Sequence, residues 1–455
     1  MTTIPPRKIG PIPGLPVFVA IALVSVSLVA CGSAARLPVT AGMGPQPTLP
    51  RPDTSLIPLV KVVKAIGWPA GATPVAAEGT SVVPFAQGLD HPRWVHVLPN
   101  GDVLVAETNA PPRPDDAKGI KGWFFKKYQK KAGGAVPSAN RITLLRDADG
   151  DGVAEVRSVF LKDLLAPFGM AMVGSTLYVA NTDAVVRFPY EQGQTQITAA
   201  PVKVVDLPGG RLNHHWTKSL IASADGSKLY VGVGSNSNVA ENGIEKEEGR
   251  AAIWEIDTAT GRHRVFASGL RNPVGMAWQP DTRALWTAVN ERDELGSDLV
   301  PDYMTSVRDG GFYGWPYSYY GAHVDKRVKP PRPDLVAKAI PPDYALGPHT
   351  ASLGLAYAGE VAPAPFRHGM FVGQHGSWNR KPRSGYKVIF VPFKDGMPAG
   401  PAVDVLTGFV RENGEAMGRP VGVAVDSRGG LLVADDVGNS IWRVTSGTSR
   451  ASTAP

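Results

Sequence analysis

A paired histidine is the first feature that could do chemistry. The run Arg211-Leu212-Asn213-His214-His215-Trp216 precedes an apolar stretch. Imidazole titrates near neutral pH, so His215, or its neighbour His214, is a candidate general base. A hydrogen-bonded structural histidine is the other reading. Further on, Gly269-Leu270-Arg271-Asn272-Pro273 offers a fixed planar cation and an amide. Such groups match a planar anion with several carboxylates, although an arginine paired with a nearby carboxylate reads equally well. Two acidic runs could hold a hard cation. One contains Glu291, Arg292, Asp293 and Glu294, with Asp298 close by. The other sets Asp147, Asp149 and Asp151 before Gly152, with Glu155 after it. It is not an EF-hand, because Ser158 stands where that motif needs a glutamate. A structural calcium loop and a plain β-turn both remain open for it.

These residues need a scaffold, and the chain repeats one. An apolar alternating strand, a turn with Gly or Asp and a second apolar strand recur six times. The copies start at His91, Pro167, Lys218, Asn272, Ser352 and Arg419, the fifth being interrupted before Gly369. Period-two alternation around such a turn is a hairpin signature. Several copies are followed by another strand-like run, such as RITLLRD or SIWRVT. The pattern predicts an all-β fold, a six-bladed β-propeller of four-stranded antiparallel blades. Loops that lead into the innermost strands of a propeller gather at one mouth of the channel. His215 and Arg271 stand just before such strands.

Here a resemblance enters. GLRNPVGMAW, from Gly269, and FYGWPYSYYG, from Phe312, are similar to strings of the glucose/sorbosone dehydrogenase family, which includes soluble aldose dehydrogenases dependent on pyrroloquinoline quinone (PQQ). NERDELGSDLVPDY, from Asn290, resembles the L-sorbosone dehydrogenase branch. The resemblance covers roughly residues 80 to 446. It implies a sugar dehydrogenase using PQQ and calcium, with His215 as base, His214 as runner-up and Arg271 stabilising developing negative charge. It implies Arg271, Asn272, Arg380 or Lys381, and Arg419 around PQQ. It places the cofactor calcium at backbone carbonyls of the positions held here by Glu291 and Arg292, with Glu291 and Asp293 as further oxygen ligands. Two departures stand out. Those two positions are a Gly-Pro pair in better-known members, and Met417 replaces a second arginine. Trp315, Tyr317, Tyr319 and Tyr320 could stack on a sugar or simply pack. A calcium-dependent lactonase and a non-catalytic binding propeller are the competing functions.

The remainder concerns location and partners. Arg7 and Lys8 precede an apolar run from Leu15 to Ala30, which reads as a secretory signal. It ends at Cys31, the sole cysteine, in a context resembling a bacterial lipobox. The expected division is a signal peptide over 1–30, a Pro/Ala-rich tether on a lipid-modified Cys31 over 31–75, the propeller over 76–446 and a tail over 447–455. The expected location is the periplasmic face, with the outer membrane favoured and the lipid as the only membrane contact. Net charge is +7 with scattered basic residues, which argues against nucleic acid. There is neither a CxxCH haem motif nor a GxGxxG opening a helix. Electrons from a sugar would therefore leave through a separate cytochrome or a quinone. Residues 117–131, AKGIKGWFFKKYQKK, mix aromatic and basic side chains. They could dock an acidic redox partner, touch lipid headgroups or pack on the propeller.

Overall fold

The computed structural model describes residues 34–53, 59–112, 127–128 and 130–447. Cys31, the signal segment, most of the insert 117–131 and the tail beyond residue 447 lie outside the described residues.

The six copies form six blades, each antiparallel throughout. The innermost strands are Pro92–Val97, Met170–Val173, Leu220–Ala222, Pro273–Trp278, Ser352–Ala358 and Pro420–Val425. The second strands are Val103–Glu107, Thr176–Ala180, Lys228–Val233, Leu285–Val289, Gly369–Gln374 and Leu431–Asp435. Several of these are buried along their whole length, as their apolar runs demand between two neighbouring blades. Burial falls off outward, and the fourth strands Val202–Asp206 and His263–Ser268 are mostly exposed. Arg141–Arg146 pairs with Val156–Leu161 as the outer half of blade 1.

The recurring Gly of the inner-strand phrase has a physical reason. A Cβ on Gly169 would run into the backbone of Leu220 in the next blade. Gly275 faces Leu353 and Leu355, Gly354 faces Val421 and Val423, and Gly422 faces Arg93 and Trp94 in the same way. Inner strands thus pack backbone against backbone around the channel. Pairing with the second strand shifts register beside three of these glycines, a β-bulge at the mouth end.

The ring closes with a strand from the other end of the chain. Thr80–Gln87 pairs antiparallel with Ser440–Ser446 as the outermost strand of blade 6. The tether expectation needs correction where the chain is described. Met43 and Gly44 pair with Leu346 and Ala345 at the edge of blade 4, and Val75–Ala76 adds to blade 5. Between them Lys61 N donates to Trp378 O, Ile66 N to Ala416 O and Trp68 Nε1 to Asp435 Oδ2. Val63 is buried, and Trp68 packs edge-on against Phe409 and Trp442. Residues 59–68 form a strap whose apolar members find partners on the propeller, so it does not behave as free spacer.

Replacing Gly354 by Ala tests the inner-strand packing. Overpacking of this kind costs about 1–3 kcal/mol. We expect a chemical-denaturation midpoint lowered accordingly, whereas an alanine at Gly359, where an added Cβ would meet nothing closer than 3.8 Å and φ is not positive, would cost far less. Equal effects at the two sites would contradict the packing account.

Candidate active site

Two sets of loops meet at one mouth: those leading into the inner strands and those leaving the second strands. Together they wall a cavity of about 280 Å3. Its lining includes Asn290, Glu291, Asp293, His349, His375, Trp378, Asn379 and Arg419. Val62 of the strap, with Tyr128 and Ala132 of the first-blade insert, completes the wall.

His375 follows the second strand of blade 5, and Asp436 follows that of blade 6. His375 Nε2 lies 2.8 Å from Asp436 Oδ2. Nδ1 has no hydrogen-bond partner among the described residues. Asp436 also meets Arg93 Nη1 at 2.7 Å and His91 Nε2 at 3.6 Å. Burial, and then the neighbouring Arg419 cation, push His375 down to about 3, against the pull of Asp436. The ring is neutral at physiological pH, and a neutral imidazole whose Nε2–H is held by a carboxylate presents Nδ1 as a proton acceptor.

Arg419 sits before the inner strand of blade 6. Its Nε and Nη2 donate to the carbonyls of His375 and Gly376, and its backbone N to Asp435 Oδ1. Nη1 is uncommitted among the described residues. Asp435 is fully buried and also accepts from Trp68 Nε1, Trp442 Nε1 and Gly438 N. Burial pushes its carboxyl up to about 6 despite those four donors.

The acidic loop is organised differently from expectation. Arg271 is 1% exposed, and its guanidinium donates to Asn238 O and Oδ1, Asn290 O and Glu291 O. It anchors the loop from behind and is absent from the cavity lining. The Glu291 carboxylate turns to the Arg292 backbone N and guanidinium. Arg292 is fully buried and also reaches Pro316 O, Ser318 O and Asp325. Asp293 accepts from Asn379 Nδ2 at 2.8 Å and pairs with His349 and Arg271 at 3.4 and 3.5 Å. Burial alone would raise the Asp293 carboxyl; His349, Arg271 and Asn379 outweigh it and hold the group below the usual range. The Glu291 and Asp293 carboxylates are thus paired with cations or an amide, and Arg271 donates to the Glu291 carbonyl. Among the described residues the Glu291 and Asp293 side chains belong to no cluster of three or more metal-ligating side chains.

The other nominated residues fall as follows. His215 Nδ1 lies 2.9 Å from Ser235 O and 3.0 Å from its hydroxyl. It packs beside Asn272 against Gly234, outside the cavity lining, with His214 edge-on to it. Asn272 is buried, and its Oδ1 has no hydrogen-bond partner among the described residues. Arg380, expected at the cofactor, spends its guanidinium on Ser297 O, Pro382 O, Leu37 O and Asp298, and Lys381 is exposed away from the lining. Trp315, Tyr317, Tyr319 and Tyr320 are buried packing residues. The aromatics that meet the cavity are instead Tyr128 and Trp378, the latter 40% exposed. Asp147, Asp149, Asp151 and Glu155 bring carboxylate oxygens within 4.8 Å of one another. They occupy the turn between the third and fourth strands of blade 1, at the face opposite the mouth, where Asp147 pairs with Arg428.

A planar acid with a ring N–H fits the cavity's chemistry. Arg419 offers a guanidinium nitrogen uncommitted among the described residues, Asn379, also in the lining, carries an Oδ1 without a hydrogen-bond partner among them, and Arg93 Nε lies buried and likewise unpartnered outside the lining. PQQ, a tricyclic quinone with three carboxylates and a pyrrole N–H, meets those requirements.

The low His375 value has a consequence for stability. In the unfolded chain a histidine protonates near pH 6.5, while folded His375 stays neutral to about 3. The unfolded state binds the extra proton between those values, so this group's stabilisation is lost as pH falls through that window. Stability of cofactor-free protein should fall from about pH 6.5 to about pH 4, and His375→Gln should flatten that slope. An unchanged slope by chemical denaturation would show that His375 is not the buried neutral group described.

Comparison with known proteins places this geometry in context. A family model described as TrAA12-like matches residues 74–305 and 335–447. A pyrroloquinoline quinone-dependent pyranose dehydrogenase of Coprinopsis cinerea is 22% identical over 362 residues, 70% of this chain and 44% of that protein, so the chain spans less than half of its length. An uncharacterized protein of Borreliella burgdorferi is 28% identical over 302 residues, 62% of this chain and 76% of its own. The solved PQQ domain of the Coprinopsis cinerea enzyme superposes with a TM-score of 0.65 at 21% identity, covering 84% of this chain and all of that one. A calcium structure of a Trichoderma reesei family AA12 protein gives 0.66 at 19% identity, over 82% of this chain and 97% of that one. With most of the propeller matched by one family model, the chain belongs to the TrAA12-like family.

Proposed function

We propose that this protein is a PQQ-dependent dehydrogenase of sugars, of aldose or sorbosone type, with His375 rather than His215 as the general base. One observation carries the reading: an imidazole held by a carboxylate at Nε2 and open at Nδ1, in a cavity that also holds an uncommitted guanidinium nitrogen. Arg419 and Asn379 would hold PQQ, with Arg93 behind them. When bound, PQQ supplies the two-electron acceptor. His375 Nδ1 takes the proton of the substrate hydroxyl, and Asp436 stabilises the imidazolium that results. Arg93 keeps Asp436 ionised and in place, 2.7 Å away. Val62, Tyr128 and Trp378 give the cavity an apolar side and keep bulk water from the reacting carbon. The kinship with a pyranose dehydrogenase supports a sugar as substrate. The same proposal keeps the protein exported and held to a membrane through a lipid on Cys31.

A lactonase would need carboxylates converging on one metal, and those of the cavity are paired off instead. The propeller as a bare binding platform leaves the His375–Asp436 arrangement without a role.

The test is reconstitution with PQQ, followed by dye reduction with a panel of aldoses and L-sorbosone. General-base loss costs about 10²–10⁴-fold in rate. His375→Ala should lose kcat on that scale while still quenching PQQ fluorescence, and His215→Ala should change kcat only a few-fold. A folded protein that binds no PQQ would overturn the proposal, and the reverse ranking of the two variants would return the base to His215.

A further inference from the structure

The wall of the cavity that does not belong to the propeller carries a run of lysines. Lys61 and Lys64 flank Val62 in the strap; Lys127, Lys130 and Lys131 flank Tyr128 and Ala132 in the insert. All five are exposed. Ala65 N donates to Lys131 O at 3.0 Å, which ties strap to insert and puts the two lysine groups side by side. Lys61 N donates to Trp378 O, which sets this charge beside the one exposed tryptophan of the cavity lining. Lys64 pairs with Glu415 at 3.1 Å, an exposed contact that holds little energy. Lys61, Lys130 and Lys131 have no carboxylate partner among the described residues.

Oxidising a sugar removes two electrons and two protons, and the electrons have to leave the cavity. We propose that this basic rim docks an acidic single-electron redox protein, a copper or haem protein, over the Val62–Tyr128–Trp378 wall. This rests on the cofactor reading above. Each sugar turned over then reduces two molecules of the partner, one electron apiece, and the two protons go to solvent. Several features favour this occupant. The positive side chains ring an apolar centre, the usual anatomy of a docking patch. The lysines adjoin residues that themselves line the cavity, so a partner seated on them lies over the electron source. The charge sign selects an acidic surface and speeds its encounter.

The experiment uses the PQQ-loaded full chain with sugar as reductant and two protein acceptors: a plant-type plastocyanin, which is acidic, and a mitochondrial-type cytochrome c, which is basic. A small neutral dye serves as third acceptor. Plastocyanin should be reduced faster at low salt than at high salt, and cytochrome c should show the opposite trend or none. The triple variant Lys61→Glu, Lys130→Glu, Lys131→Glu should lose about tenfold or more in second-order rate with plastocyanin and keep its dye rate. An unchanged plastocyanin rate in that variant overturns the proposal. So does loss of binding to phosphatidylcholine–phosphatidylglycerol vesicles with plastocyanin reduction intact, which would make the rim a lipid contact. If the unmodified protein reduces no dye, the cofactor reading has failed and this proposal falls with it.

Discussion

Backbone against backbone around the channel is the contact on which everything else in this molecule rests. Gly169, Gly275, Gly354 and Gly422 remove the side chain that would keep inner strands apart. With the strands that close, the second strands follow, and the loops at their ends come within reach of one another. The pairs that matter chemically span blades. His375 of blade 5 meets Asp436 of blade 6 and, through it, Arg93 of blade 1. Dispersion and apolar burial hold the blades together, and the glycines decide how near the polar ends can be brought.

A single buried carboxylate links the site to the chain ahead of the propeller. Asp435 accepts from Trp68, Trp442, Gly438 and the Arg419 backbone. Burying a carboxylate is costly unless donors surround it, and here they come from three parts of the chain. Trp68 carries the strap to this point, and the strap carries Val62 to the cavity. The position of Arg419 and the position of the strap therefore share one acceptor. This is why residues 59–68, which stand next to a Pro-rich stretch but are themselves rich in Val and Lys with a Trp at their end, fold as part of the site.

The fold was legible in the sequence and the site only partly. Six hairpin phrases gave six blades because alternation and turn residues are local properties. The closing strand Thr80–Gln87 was not foreseen, since its partner lies at the far end of the chain. In the site, the family resemblance pointed to Arg419, which does line the cavity. The position just before an inner strand picked Arg271, whose guanidinium instead faces backbone carbonyls, Asn238 and Asp293. Composition cannot tell a guanidinium aimed at a ligand from one buried among carbonyls. His375 stands five and six positions before Arg380 and Lys381, the residues the resemblance assigned to the cofactor, and nothing in its own neighbours marks it as a base. Its value as a base depends on Asp436, sixty-one positions later. The usable signal was the doubled Asp at the end of the last second strand: an acidic pair next to the channel must face a donor.

Closure by Thr80–Gln87 also fixes an order of events. That strand is made before its partner Ser440–Ser446, with the inner and second strands of all six blades synthesised between them. Until then the first-made strand has an open edge, and the blade that holds Asp435, Asp436 and Arg419 has no outer strand. Blades 1 to 5 can pair internally as they emerge, yet the ring stays an open arc. The cavity and the closing strand pair thus form in the same step, once Ser440–Ser446 has been made, and a chain that stops short of that strand has neither.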